Sequence, residues 1–273
     1  YNNEIENGSY GVNLVGSSNV QEFGNQFIEN EITGFYYYGI RMEYQIQFVI
    51  KGNSVFATET APYSTNYGMY LYYCDGGFQI EGNHLVLRGT STNYLLYPYY
   101  CDGDSSNHGL IANNFLINAN GTGTNYGIYP YNCNYVDIFY NSVNIAFGSS
   151  TATKAIYPYP SSSTGAYSNI RILNNVLVNK AGGYAIDIPT NAATLGYVTV
   201  CDYNDLYSSG TNLGRYGTTD AVTLSAWVTA SGLDSNSISI DPGFKSTIDL
   251  HISKIGIDSM ATPLSGISMD IDG

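Results

Sequence analysis

The sequence predicts an all-β solenoid of about seven stacked coils, with a short helix near its C-terminal end. Two short phrases recur along the 273 residues with nearly the same period. Between them lie short runs rich in Ile, Val, Phe and Tyr, which are typical of β-strands, and Gly/Ser/Thr loops of varying length. No segment before Thr223 keeps a helical period. Each repeat is therefore expected to form one coil.

The first recurring phrase takes forms such as YGIRMEY, YGMYLYY and YGIYPYN, and its third residue is always apolar. We call this residue the anchor of its coil; the anchors are Val12, Ile40, Met69, Leu96, Ile128, Ile156 and Ile186. Their spacings are 28, 29, 27, 32, 28 and 30 residues. Because side chains alternate along a strand, the anchor and the residue two positions later should both face the core. Those later residues are apolar throughout: Leu14, Met42, Leu71, Pro98, Pro130, Pro158 and Ile188.

The second recurring phrase places an asparagine two residues before an apolar residue. Its members are Asn25, Asn53, Asn83, Asn114, Asn141, Asn175 and Asn204. In stacked coils the same turn recurs about every 4.8 Å, so each amide can bond to the amides above and below it. We therefore predict a structural asparagine ladder along one turn of the solenoid.

We predict a solenoid over residues 1–222 and a closing segment over residues 223–273. The closing segment is expected to pack on the same solenoid. Thr223 can cap a short helix, LSAWVTAS, which Gly232 would end. Leu224, Trp227 and Val228 would share one face of this helix. An amphipathic cover is expected here because an open coil end is an unpaired sheet edge.

With its repeated strands and asparagine column, the chain resembles the right-handed parallel β-helix (pectate-lyase-like) superfamily from about Tyr10 to Leu206. Its closing phrases, TLSAWVTASGLDSNSISIDPGF, DLHI and TPLSGISMDIDG, look like the ending of secreted bacterial β-helix repeat proteins. Such proteins are often parts of large surface proteins. The resemblance implies a bacterial protein that is extracellular or at the cell surface, and a chain that is part of something longer.

Composition argues against several kinds of partner. Nine Lys and Arg against 22 Asp and Glu give a formal net charge of −13, whereas phosphate binding needs clustered cations. Nucleic acid, anionic lipid and acidic polysaccharide are therefore disfavoured. The sequence has no apolar run of about 18 residues or more, so no transmembrane segment is expected.

Tyrosines form the most informative pattern. One and three positions after the anchor, side chains should point outwards, and four successive coils carry tyrosine at both positions. The two columns are Tyr70, Tyr97, Tyr129 and Tyr157, and Tyr72, Tyr99, Tyr131 and Tyr159. Arg41 and Asp187, at the ends of the first column, support the outward direction. Such an exposed block predicts a surface that binds a glycan or another protein, or that assembles with copies of itself; the alternative is that the rings only stabilise the sheet.

Cysteines and aspartates occupy the turn that follows the tyrosines. Cys74, Cys101 and Cys133 share one column, where a strained disulfide between stacked coils competes with unpaired buried thiols, which we favour. Asp75 and Asp102 share the next column. They would repel each other unless a cation, a proton or backbone N–H groups intervened. With Asp104 they could hold Ca²⁺, although bonding of each aspartate to its own turn is favoured.

An enzyme has less support in the sequence. Relatives of this fold include polysaccharide lyases and glycoside hydrolases, but here Lys and Arg are scattered, and His84, His108 and His251 lie in unrelated positions. The phrase SNHG around His108 resembles the Gly-His-Gly of polygalacturonases without the accompanying aspartate pairs. We therefore expect an adhesin-like or structural assembly element without catalytic residues, and as the alternative a neutral-glycan-binding module.

Overall fold

A computed structural model describes residues 1–59, 63–149, 151–257, 260–267 and 270–272. They form a parallel β-solenoid of about eight coils. Its right-handed sense stays a prediction. The strands in chain order are β1 (Glu4–Val15), β2 (Glu22–Phe23), β3 (Gln26–Ile28), β4 (Glu31–Glu43), β5 (Gln45–Ile46), β6 (Val49–Lys51), β7 (Ser54–Ala57), β8 (Thr65–Tyr72), β9 (Gln79–Glu81), β10 (His84–Leu87), β11 (Thr92–Tyr99), β12 (Gly109–Ala112), β13 (Phe115–Asn118), β14 (Asn125–Ile128), β15 (Val136–Phe139), β16 (Ser142–Ile145), β17 (Lys154–Ile156), β18 (Ile170–Leu173), β19 (Val176–Asn179), β20 (Tyr184–Pro189), β21 (Val198–Asp202), β22 (Asp205–Ser208), β23 (Gly214–Gly217) and β24 (Thr219–Ala221).

Three stacks of parallel strands surround the core. The anchor sheet contains the C-terminal halves of β1 and β4, followed by β8, β11, β14, β17, β20 and β23. The second sheet runs from β3 through β6, β9, β12, β15 and β18 to β21. The third sheet contains the N-terminal halves of β1 and β4, then β7, β10, β13, β16, β19 and β22. Strands β2 and β5 form a small pair in the first turns.

The anchor columns form the core, as the sequence predicts. Strand pairing places Ile40 beside Met69, and the register continues through Leu96. Anchors from Ile40 to Ile186 are fully buried, as are Met42 and Leu71 in the column two positions later. At the N-terminal end Val12 and Leu14 are only partly buried against the same cluster.

The asparagine ladder is confirmed from Asn53 to Asn204. Each side-chain oxygen accepts hydrogen bonds from the backbone N–H and the amide group of the asparagine one coil earlier; between Asn83 and Asn114 the distances are 3.0 and 2.9 Å. The amide nitrogen of Asn114 also donates to the carbonyl of Ile80 at 2.9 Å. Because these asparagines are almost fully buried, the ladder satisfies backbone groups that water cannot reach.

The first member of the ladder was predicted wrongly. Asn25 bonds to the Gln45 side chain at 2.8 Å and lies before β3 on the second sheet. Asn30 takes the ladder position instead, and Asn3 extends the ladder by one more coil. Asn30 and Asn53 are only 23 residues apart, so the short coil breaks the period on which the prediction relied.

Two α-helices accompany the strands among the described residues. The helix α2 (Leu224–Ser231) is capped by Thr223, whose hydroxyl accepts from Ala226 N at 3.2 Å, and ends, as predicted, at Gly232, which adopts a left-handed conformation. Trp227 is fully buried and its indole donates to Asp234 at 2.8 Å. The helix α1 (Thr190–Leu195) was not predicted, because six residues are too short to show a helical period.

The segment after α2 lies along the outside of the third sheet. Asn174 donates to the carbonyl of Thr262 and accepts from its N–H, both at 2.8 Å. His84 Nε2 lies 2.9 Å from the carbonyl oxygen of Ile248. Ser268, Met269 and Gly273 of the closing phrase lie outside the described residues. Within the described part of the chain, no helix is long and apolar enough to cross a membrane.

Candidate functional site: a tyrosine-covered face

The structure brings both predicted tyrosine columns together on the outside of the anchor sheet. Along the first column, successive ring centroids from Tyr70 to Tyr157 lie 5.7, 4.8 and 5.0 Å apart. Along the second, from Tyr72 to Tyr159, the spacings are 5.2, 4.7 and 5.3 Å. All eight rings are half-buried, because each is shielded by its neighbours. The columns therefore form a continuous aromatic surface with partly covered rings.

A third column, which the sequence analysis missed, lies two positions before the anchor. It consists of Tyr10, Tyr38, Tyr67, Tyr94 and Tyr126. Their rings stack with centroid spacings of 5.1, 4.8, 4.9 and 5.0 Å and interplanar angles of 16°, 12°, 8° and 8°. Strict alternation along the strand would place the residue two positions before the anchor in the core. Here the alternation is interrupted, because adjacent residues such as Leu95 and Leu96 are both buried, and the preceding tyrosine therefore faces outwards. The tyrosine that opens the recurring anchor phrase was the available signal.

A fourth column continues the face around the following turn. Tyr44, Tyr73 and Tyr100 adopt φ values of 55°, 49° and 56°. Their rings are nearly parallel, at 3° and 4°, with centroids 5.8 and 4.9 Å apart. We call the four columns together the tyrosine face.

The stacking decides which part of each ring meets solvent. In the third column the ring planes cover one another, so the ring faces are hidden and the ring edges meet solvent. In the second column the angles between successive rings are 40°, 87° and 39°, which leaves ring faces partly open. Burial raises the pKa of Tyr67 and of Tyr126 to about 12 and also raises that of Tyr97. The face is therefore uncharged at neutral pH and offers hydroxyl groups as donors and acceptors.

Charged side chains flank the first tyrosine column at both ends. Arg41 pairs with Glu43 at the N-terminal end. At the other end Arg215 donates to Asp187 at 3.0 and 2.7 Å. Lys154 Nζ lies 3.8 Å from Asp187 and 4.9 Å from the ring centre of Tyr157. Sequence reasoning placed Asp187 in the outward column but did not foresee that Arg215, one coil later, would bury it completely.

In the predicted aspartate site, Asp75 and Asp102 accept hydrogen bonds from backbone N–H groups. Asp75 Oδ1 accepts from the N–H of Asp102 at 3.0 Å, and Asp102 Oδ1 accepts from the N–H of Asn134 at 2.8 Å. Asp104 is exposed and caps its own loop through Ser106. Among the described residues, no three His, Cys, Asp or Glu side chains are placed to hold a metal ion together. The calcium site at Asp75, Asp102 and Asp104 stays a prediction.

The cysteines are unpaired and buried, as favoured from the sequence. The thiols of Cys74 and Cys133 lie 3.4 Å from backbone carbonyl oxygens of the preceding coil. Burial, as the largest cause, raises the pKa of Cys101 and Cys133 well above the usual range. Such thiols are poor nucleophiles, so the column serves packing.

Two buried carboxyl groups should make stability depend on pH. Burial, as the main cause, raises the pKa of Asp102 to about 6 and that of Asp205 to about 7. Because these values exceed those of the unfolded chain, the protonated groups stabilise the fold below pH ~4. The contribution of Asp102 is lost as the pH rises through ~6, and that of Asp205 as it rises through ~7. For each group the free energy of unfolding falls by up to about 1.4 kcal/mol per pH unit. Urea unfolding at pH 4.5 to 7.5 should therefore show a shallower decline for Asp205→Asn than for the wild type; equal slopes would contradict the assignment.

Comparisons with known proteins add no functional assignment: no family model matches the chain, and neither a search of curated proteins nor one of solved structures found a match.

Proposed function

We propose that this protein is a secreted or cell-surface right-handed β-helix of the pectate-lyase-like, bacterial type, and that it acts as an adhesin-like or structural assembly element. The tyrosine face is its contact surface, and a second copy of the chain is its partner. The observation that carries the proposal is the continuous aromatic surface of four columns, whose first column is flanked by ion pairs at both ends.

The chemistry of this face suits a protein contact. Tyrosine supplies a large apolar ring that loses little conformational entropy, and its hydroxyl group remains available for hydrogen bonds. Stacking already holds the rings in place, so little ordering is left to oppose association. Because the hydroxyl groups are neutral, the two faces add no charge repulsion of their own to that between two chains of net charge −13.

The low fraction of charged residues supports an extracellular location, and the protonated tyrosines support a role without catalysis. Charged residues make up 11% of the chain, well below the ~25% common in soluble domains. Between the ion pairs that flank its first column, the face carries phenols whose pKa values are raised above the ordinary value, as for Tyr70 and Tyr157, and which are therefore poor general bases at neutral pH. We propose no lyase or hydrolase activity for this face.

A neutral-glycan-binding module is the second candidate. Sugar rings stack on exposed aromatic faces, and the tilted rings of the second column, Tyr72, Tyr99, Tyr131 and Tyr159, leave such faces partly open. In the third column the same faces are covered by neighbouring rings, which favours the assembly role.

Sedimentation velocity over a range of protein concentrations tests the proposal. The wild type should self-associate, and the double variant Tyr99→Ser/Tyr131→Ser should remain monomeric because two central rings are removed. Tyr207→Ser, the same change on the third sheet, is the matched control and should associate like the wild type. A monomeric wild type would refute self-assembly; binding to a neutral-glycan array that Tyr99→Ala and Tyr131→Ala abolish would establish the second candidate instead.

A further inference from the structure

A separate cleft lies on the outer surface of the second sheet, with a volume of about 420 Å³. Three consecutive coils contribute one outward column to it, in which Leu110 lies beside Asp137 and Asp137 beside Arg171. The loop before β12 adds His108 from one side, and the closing segment 264–267 forms the opposite wall. The volume falls within the range of about 300–1,000 Å³ that small-molecule sites occupy.

A buried carboxylate organises the polar wall of this cleft. Asp137 is 7% exposed and accepts from Nδ1 of His108 at 2.9 Å. It also accepts from Nε of Arg171 at 2.5 Å and, through its other oxygen, from Nη2. These bonds fix the imidazole and the guanidinium in place and set the His108 proton on Nδ1.

The side-chain nitrogens of His108 and Arg171 that do not bond to Asp137 suit a ligand with both hydrogen-bond donors and acceptors. Within the described part of the chain, neither Nε2 of His108 nor Nη1 of Arg171 has a hydrogen-bond partner. With Nδ1 donating, Nε2 of the neutral imidazole accepts, whereas Nη1 donates. The amides of Asn107 and Gln79 line the same cleft and can do both.

The charge of the cleft argues against an anion. The single positive charge of Arg171 is already paired with Asp137. Hydrogen bonds from Ser106 chiefly hold the pKa of Asp104 below its usual value, so Asp104 adds a second negative charge nearby. An anion would therefore meet a neutral or slightly negative site, in a chain of net charge −13.

We propose that this cleft binds a neutral saccharide through two neighbouring hydroxyl groups. One hydroxyl donates to Nε2 of His108, and the adjacent one accepts from Nη1 of Arg171. Leu110 and Leu173 face the apolar side of the sugar ring. The site is separate from the tyrosine face and does not depend on the partner of that face.

Saturation-transfer NMR tests this site with the methyl glycosides of glucose, galactose, mannose and N-acetylglucosamine. At least one should receive magnetisation from the wild type, and His108→Ala should weaken its binding by about tenfold, as loss of one well-placed hydrogen bond does. Asp137 keeps its pair with Arg171 in this variant, so an unchanged thermal midpoint verifies the fold. Gln79→Ala should weaken binding too, whereas Tyr99→Ser/Tyr131→Ser should leave it unchanged.

Three outcomes would overturn the proposal. Transfer to none of the four glycosides would show that the cleft does not take a neutral saccharide. Equal transfer to the wild type and to His108→Ala would place the sugar elsewhere. Displacement of the glycoside by acetate or sulfate at constant ionic strength would identify an anion site. Because self-association is measured separately, none of these results would bear on the tyrosine face.

Discussion

Replacement of Asn114 by alanine is expected to lower the free energy of unfolding by about 3 kcal/mol or more, since each buried polar group left without a partner costs about 1–3 kcal/mol. The side chain of Asn114 accepts two hydrogen bonds from Asn83 and donates to Ile80 and Asn141. Alanine leaves the buried backbone N–H of Asn83 without its acceptor and removes one hydrogen bond each from the Asn83 amide, the Ile80 carbonyl and the Asn141 side-chain oxygen. Urea unfolding followed by circular dichroism measures the loss.

Asn25→Ala is the matched control, because Asn25 fits the sequence period but lies off the ladder. Its amide bonds to side chains of Gln45 and Glu22 in a partly exposed turn, so its removal should cost about 1 kcal/mol or less. Equal losses for Asn25→Ala and Asn114→Ala would mean that ladder membership does not determine stability.

Arg215→Leu is expected to destabilise the protein by about 2–4 kcal/mol at neutral pH, because it leaves the buried carboxylate of Asp187 without its main partner. Burial already raises the pKa of Asp187, and the hydrogen bonds from Arg215 oppose that rise. Without them the folded-state pKa rises further, and the protonated carboxyl is tolerated. The loss should therefore be larger at pH 7 than at pH 4.5 in urea unfolding.

Arg41→Leu provides the control for this prediction. Arg41 occupies the same outward column and pairs with Glu43, but both side chains are partly exposed, so the loss should be about 1 kcal/mol or less. The double variant Asp187→Asn/Arg215→Leu should regain part of the stability lost in Arg215→Leu. If Arg215→Leu lowers the free energy of unfolding by the same amount at pH 7 and at pH 4.5, the role assigned to Asp187 is contradicted.

Regular repetition explains what the sequence could predict. Strand pairing at a constant register converts each repeated position into a column, so the buried anchors from Ile40 to Ile186 and the ladder from Asn53 to Asn204 follow from their spacing alone. The two tyrosine columns after the anchor follow from the same alternation. The cap at Thr223 was predictable because helix ends have local signals.

Local departures from repetition explain the rest. Asn30 replaced Asn25 because one coil is short, and the column from Tyr10 to Tyr126 was hidden by consecutive buried residues. The burial of Asp187 depends on which residue the next coil sets beside it. The cleft at His108 depends on the path of an irregular loop and of the closing segment, neither of which has a period.

Tyrosine-selective iodination, read by peptide mass spectrometry at low and high protein concentration, tests most directly whether the tyrosine face is the contact surface. Tyr99 and Tyr131 should lose reactivity as the protein associates, whereas Tyr207 on the third sheet should keep it. Unchanged reactivity of Tyr99 and Tyr131 in the associated protein, with protection at Tyr207, would contradict the proposed contact surface.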